Sequence, residues 1–212
     1  MKQLIEKMNL KNEWKLIGVS LLFLLISARL FTGFLPYHEL RVDQFGWKLH
    51  DPLYEILPHF DLSILIFIVT YGGIIVYGVT SYQIKNFLPK ILLTYGLICL
   101  FRIVALYLLP LKEQPTLIYL QDPFLNNMVY PGRIVRDLFF SGHTALLFGM
   151  YLASGKRLIL LIMSIVLGFS LIIQHVHYSI DVVVAIPITY FCYGITEFVL
   201  EKLNGIKFLK VS

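Results

Sequence analysis

Apolar residues in this chain do not alternate with polar ones; they run together. Six such stretches occupy roughly residues 15–35, 61–82, 89–110, 138–154, 157–174 and 180–200. A bilayer core takes about 20 residues of helix to cross, and the first three stretches and the last meet that length. The fourth and fifth are shorter and meet at a tight Ser154-Gly155-Lys156-Arg157 link, so tilt or burial inside protein must make up the difference. In hydrocarbon only a helix or a closed barrel satisfies every backbone N–H and C=O, and these runs lack the alternating period of barrel strands. The pattern predicts an all-α, polytopic integral membrane bundle of six transmembrane helices. Residues 1–14 form a lead, 15–200 the membrane catalytic domain and 201–212 a tail. The first run is too long for the ~7–15-residue core of a cleavable signal and is read as a retained first helix.

Composition sharpens this. The chain is 58% hydrophobic and 15% charged, against ~25% charged in a soluble domain, and its mean hydropathy is +0.75. Its net charge of +5 would suit nucleic acid on a soluble surface, but the basic residues sit in the short stretches between apolar runs. Eleven of them, Lys2, Lys7, Lys11, Lys15, Lys85, Lys90, Lys156, Arg157, Lys202, Lys207 and Lys210, fall on one side of the six-span topology. Five, Arg41, Lys48, Lys112, Arg133 and Arg136, fall on the other. The positive-inside rule then puts both termini in the cytoplasm and excludes a nucleic-acid partner. Cys99 and Cys192 both lie in apolar runs, so neither a disulfide framework nor a zinc pattern is present.

The chemistry stands at the ends of these runs. His177 and Asp181 are spaced i, i+4, which places them on one face if the last helix begins at or before His177. A carboxylate there fixes the imidazole tautomer and aims the other nitrogen outward as nucleophile or base; the alternative is a helix cap made by Asp181 or Ser179. In Ser141-Gly142-His143-Thr144, the glycine lets a ligand approach the backbone. The hydroxyls and nearby amides can donate to phosphate oxygens, and His143 can move a proton; the alternative is a polar patch holding helices together. One apolar helix separates the two histidines and returns the chain to the same membrane face, the one away from the cytoplasm. Two histidines with an orienting carboxylate fit a two-step displacement at phosphorus, one attacking and the other serving as acid and then base. No set of metal ligands is evident and no cofactor is called for.

Asp137-Leu138-Phe139-Phe140-Ser141-Gly142-His143-Thr144 and His177-Tyr178-Ser179-Ile180-Asp181-Val182 resemble the third and fourth signature motifs of the sphingomyelin synthase family, a branch of the type 2 phosphatidic acid phosphatase superfamily. Asp51-Pro52-Leu53-Tyr54-Glu55 is similar to the family's proline-rich segment before the second helix. Phe101-Arg102 followed by Tyr107 is similar to its helix-three motif. The resemblance covers roughly residues 50–195. It implies that His177 takes the phospho-headgroup of a glycerophospholipid, releasing diacylglycerol, with Asp181 orienting it. His143 protonates the leaving oxygen and then deprotonates the primary alcohol of ceramide or a related lipid. The chain departs from the family at Val135-Arg136, where Cys-Gly is usual, and at Ser179, where threonine is usual. It also departs at Ile186 and Glu197, where tyrosine and histidine stand, and at Pro89-Lys90, where paired arginines stand.

Substrate contacts are expected from Asp137, Ser141, Gly142, Arg136, Arg133, Arg102 and Tyr178. Arg102, inside an apolar run, needs a partner or a wet cavity. Phosphomonoesterases of the superfamily carry an arginine six residues before the nucleophile; that position is Leu171, and fewer site cations suit a phosphodiester. The expected partners are a phospholipid donor, a lipid-alcohol acceptor and the membrane, with a homo-oligomer left open. A lipid phosphatase or phospholipase C-like hydrolase would use the same residues, and a non-enzymatic transporter or scaffold would use the polar cluster for binding.

Overall fold

The computed structural model describes the backbone of residues 2–120 and 134–208 and the side chains of residues 13–120 and 134–203. Among the described residues the regular secondary structure is helix, with one isolated bridge between Trp47 and Leu111. The helices are α1 (Lys2–Phe45), α2 (Leu53–Ile56), α3 (Ser63–Ser81), α4 (Phe87–Leu108), α5 (Gly142–Ala153), α6 (Leu158–Ile173) and α7 (Ser179–Phe208). Four are long and apolar enough to cross a membrane: Glu13–Phe45 of α1, Ser63–Ser81, Phe87–Leu108 and Ser179–Leu203. The helix α6 is apolar but has only 16 residues.

Two of the expected segments change shape. The first helix does not stop near residue 35. It continues through Pro36 to Phe45, because its last turns find partners: His38 and Val42 are fully buried. The fourth does not begin at residue 138. Residues 134–138 have no regular secondary structure, and helix starts only at Gly142. The helix α5 has twelve residues, nine of them buried, and at about 1.5 Å per residue it is far shorter than a bilayer core. It needs no lipid-spanning length because it is sheathed: α3, α4, α6 and α7 all pack on it.

The helices meet through small and polar residues, as packing in lipid requires. A side chain at Gly96 of α4 would run into Phe23 of α1, and one at Gly168 of α6 into Val182 of α7. Between α4 and α7, Thr94 donates to Thr196 at 3.0 Å and Lys90 pairs with Glu197 at 3.1 Å. Lys90 and Glu197 are two of the positions at which the sequence leaves the family pattern, and here they meet. The apolar centre is formed by Ile66 of α3, Leu147 of α5, and Leu167 and Leu171 of α6, all fully buried. Leu171 thus sits in the core among aliphatic neighbours.

Candidate active site

Ser141 opens α5. Its hydroxyl accepts from the Thr144 amide at 3.3 Å, the usual geometry of a serine N-cap, and from the Thr144 hydroxyl at 3.1 Å. Capping brings Gly142 and His143 to the first two helical positions, so His143 stands at the start of the helix. The Ser141 amide donates to the Asp181 carbonyl at 3.1 Å, which ties the beginning of α5 to the beginning of α7.

The second motif reaches the same place by a turn, not by a helical face. Helix α7 begins at Ser179, after His177. Asp181 is fully buried, and its Oδ2 accepts from the Tyr178 amide at 3.0 Å. That folds the carboxylate back toward His177, whose Nδ1 lies 3.5 Å from the same oxygen. The separation is long for a hydrogen bond, and such contacts tighten when a site is occupied. The imidazole therefore presents Nε2 away from Asp181.

His143 and His177 line one cavity of about 310 Å³, together with Arg102, Asp137 and Gly142. Arg102 is 5% exposed. Its Nη2 donates to Asp137 Oδ1 and, at 3.4 Å, to the Asp137 carbonyl, and its Cζ lies 4.7 Å from the centre of the Phe31 ring. The guanidinium occupies the space that a side chain at Gly142 would fill. Arginine, the partial positive charge of the α5 N-terminus and two imidazoles thus converge on one volume. This arrangement suits a phosphate group. Asp137 offsets the guanidinium charge, so the site holds little surplus positive charge.

Not every expected contact residue faces this cavity. Ser141 is fully buried as the cap. Tyr178 is 1% exposed, and its hydroxyl donates to the Lys112 carbonyl at 2.8 Å. Arg136 points the other way, into acids on the α1 extension and the loop after α4. Its Nε is 2.8 Å from Glu113 Oε2 and its Nη1 is 2.7 Å from Asp43 Oδ1. Glu39 accepts from the Val135 and Arg136 amides, both at 2.8 Å. The Arg136 hydrogen bond holds the Glu113 carboxyl below its usual range. Arg136 is a clamp that fastens the segment leading to Asp137 against α1. Arg133 lies outside the described residues.

The remaining walls come from residues that periodicity gives no reason to single out: Thr70, Tyr71 and Ile74 of α3, Tyr95 of α4, and Leu117, Tyr119 and Leu120 of the loop after α4. Two more, Asp51 and Tyr54, touch the loop that carries His177 from outside the cavity. Ser179 donates to Asp51 through its amide and, at 3.0 Å, its hydroxyl, and the Tyr54 hydroxyl donates to the His177 carbonyl at 2.8 Å. His175, Tyr54 and His59 stack, with ring centres 4.1 and 4.2 Å from His175. Among the described residues, no group of three His, Cys, Asp or Glu side chains is arranged to hold a metal ion.

Fold and site together describe a protein of long apolar helices, four of them able to cross a membrane, with a cavity that brings two histidines together beside an arginine. Residues 136–198 match the family model described as PAP2 superfamily C-terminal. That match spans under a third of the chain and contains His143, His177 and Asp181; it points to a lipid phosphatase or phosphotransferase. No curated protein and no solved structure matches the chain.

Proposed function

We propose that this protein is a sphingomyelin synthase-like phosphotransferase. It moves a phospho-alcohol headgroup from a glycerophospholipid to ceramide or a related lipid alcohol. The observation that carries the reading is the convergence of His143 and His177 on one cavity beside Arg102, with Asp181 behind His177.

In the first step His177 Nε2 attacks phosphorus, a P–N bond forms and the P–O bond to diacylglycerol breaks. His143 gives the departing oxygen its proton. In the second step His143 takes a proton from the lipid alcohol, whose oxygen attacks phosphorus, and the P–N bond breaks to free His177. Asp181 keeps the imidazole in the tautomer with Nδ1–H and balances the positive charge it gains. Arg102 and the first amides of α5 meet the charge on the phosphate oxygens. With Asp137 offsetting Arg102, a singly charged phosphodiester suits the cavity better than a doubly charged monoester.

The topology proposed with this reaction has six crossings, α5 and α6 completing the four long helices. Both termini are cytoplasmic and the site is on the exoplasmic face, periplasmic or lumenal. The distribution of eleven basic residues against five supports it.

The test is direct. Purified protein in detergent, given labelled phospholipids of several headgroups and ceramide, forms a phospho-headgroup ceramide and diacylglycerol. Release of free phospho-alcohol or phosphate without a lipid product replaces the reading by hydrolysis. Turnover of no donor, with activity in cells unaffected by His177→Ala, replaces it by a binding or scaffold role.

A further inference from the structure

The segment Asp51–Glu55 lines no part of the cavity, and the reaction above makes no use of it. Yet it reaches the catalytic loop at three atoms. The Asp51 carboxylate, on a residue 4% exposed, accepts from the Ser179 amide through Oδ2 and from the Ser179 hydroxyl, 3.0 Å away, through Oδ1. The same Oδ1 takes the Leu53 amide at 3.1 Å, which sets the start of α2. One turn on, the Tyr54 hydroxyl donates to the carbonyl of His177 itself at 2.8 Å.

These bonds have a common target. Ser179 is the first residue of α7, and its amide is one of the donors that a helix N-terminus leaves without a partner. Such a donor is met by water or by a side chain, most often one close in sequence. Here the cap comes from 128 positions upstream. From the helix side, Asp181 holds the Tyr178 amide. The peptides that follow His177 are therefore held at successive points: the His177 carbonyl by Tyr54, the Tyr178 amide by Asp181 and the Ser179 amide by Asp51. A turn fixed at each of these groups allows the imidazole of His177 little freedom.

We propose that Asp51 and Tyr54 are positioning residues for His177, so that the connection between α1 and α3 is a working part of the active site. The inference rests on the phosphotransfer reading for its kinetic consequence, and on the hydrogen bonds alone for its structural one. Misplacing a reacting group by about 1 Å costs on the order of 10²-fold in rate. Neither side chain lines the cavity, so the loss falls on turnover and not on substrate affinity.

The experiment compares Asp51→Asn, Tyr54→Phe and Asp51→Glu in the full-length protein, by steady-state kinetics and by hydrogen exchange of the peptide covering residues 174–181. Asp51→Asn, which turns an amide NH2 toward the Ser179 donors, lowers kcat by about 10- to 100-fold with KM within about twofold. Tyr54→Phe keeps the ring stack on His175, removes one hydrogen bond and lowers kcat by about fivefold. Asp51→Glu restores a carboxylate and recovers part of the rate. Exchange at 174–181 rises in the first two variants. Unchanged exchange in Tyr54→Phe, or a loss carried by KM at constant kcat, overturns the proposal. Should Asp51→Asn fail to fold, Tyr54→Phe decides. Should the wild type turn over no phospholipid, the reaction proposed above fails, and the exchange comparison still decides whether the segment orders the loop.

Discussion

Replacing Gly142 by alanine tests the geometry of the phosphate end of the cavity with a single methyl group. A Cβ at residue 142 would fall on the Arg102 guanidinium, with Cζ only 2.9 Å away. Ordinary contact begins near 3.5 Å, so the guanidinium must retreat by on the order of 1 Å. It has little room to do so, being packed over Phe31 and bonded to Asp137. In the helix itself alanine is favoured over glycine by about 1 kcal/mol. Disrupting a buried ion pair by removing one partner costs ~3–5 kcal/mol, and a displaced pair loses part of that. The net expectation is a loss of ~1–3 kcal/mol. A drop in turnover on the order of 10²-fold should accompany it. The assay is a double-mutant cycle with Arg102→Ala, read by thermal unfolding in detergent, alongside initial rates for the single variant. In the Arg102→Ala background the collision is gone and only the helix preference remains, so Gly142→Ala becomes neutral or mildly stabilising. Equal destabilisation in both backgrounds, or a Gly142→Ala protein with full turnover, refutes the assignment of Arg102 to the space beside Gly142.

Three further outcomes follow from the same geometry. His143→Ala blocks turnover of natural donors by about 10²–10⁴-fold. Given a donor whose leaving group needs no proton, such as a nitrophenyl phosphodiester, the variant accumulates a phosphoryl group on His177, detectable by mass spectrometry; absence of that adduct counts against the division of labour between the histidines. Arg136→Ala lowers stability by ~1–3 kcal/mol, since its partners are partly exposed, and leaves KM for the phospholipid near the wild-type value; a raised KM at unchanged stability would return Arg136 to the substrate site. Burial first, and then repulsion from His59, hold the His175 imidazole below its ordinary value of 6.5. The unfolded chain then takes up that proton first, so this contribution to stability is complete above about pH 6.5 and declines as pH falls through that value toward the folded one. The melting temperature should fall on acidification from about pH 7 to 5.5, and His175→Phe, which keeps the stack, should flatten that part of the profile.

Much of the architecture was legible because lipid forces it to be. Long apolar runs dictate helices, and α3, α4 and α7 fall close to where hydropathy puts them. What was not legible depended on partners far away in sequence. Residues 36–45 look like a loop by polarity, but His38 and Glu39 find the backbone of residues 135–136, at 3.1 and 2.8 Å, and stay helical. Arg136 reads as a phosphate ligand until the acids at residues 39, 43 and 113 are seen around it. Ser141 reads as a donor to ligand, yet a serine three residues before a threonine amide at a helix start has a nearer use. His143, His177 and Asp181 do meet at one place, because the motif spacing and the single intervening helix leave the chain few other routes. The i, i+4 argument for His177 and Asp181 required a helix from His177 onward; the helix begins at Ser179, and a turn rather than a helical face brings the two side chains together.

The cavity has two walls of different origin. His143, His177 and Asp181 all come from one contiguous block, residues 136–198. Another part of the lining is drawn from α3, α4 and the loop after α4, through Thr70, Tyr71, Ile74, Tyr95, Arg102 and Leu117. The two histidines and the arginine beside them are thus encoded in separate stretches of the gene. A recombinant chain that joins the N-terminal half of one such protein to the C-terminal half of another would take Arg102 and much of the lining from one parent and both histidines from the other, so it would turn over only where the two halves still meet around one phosphate.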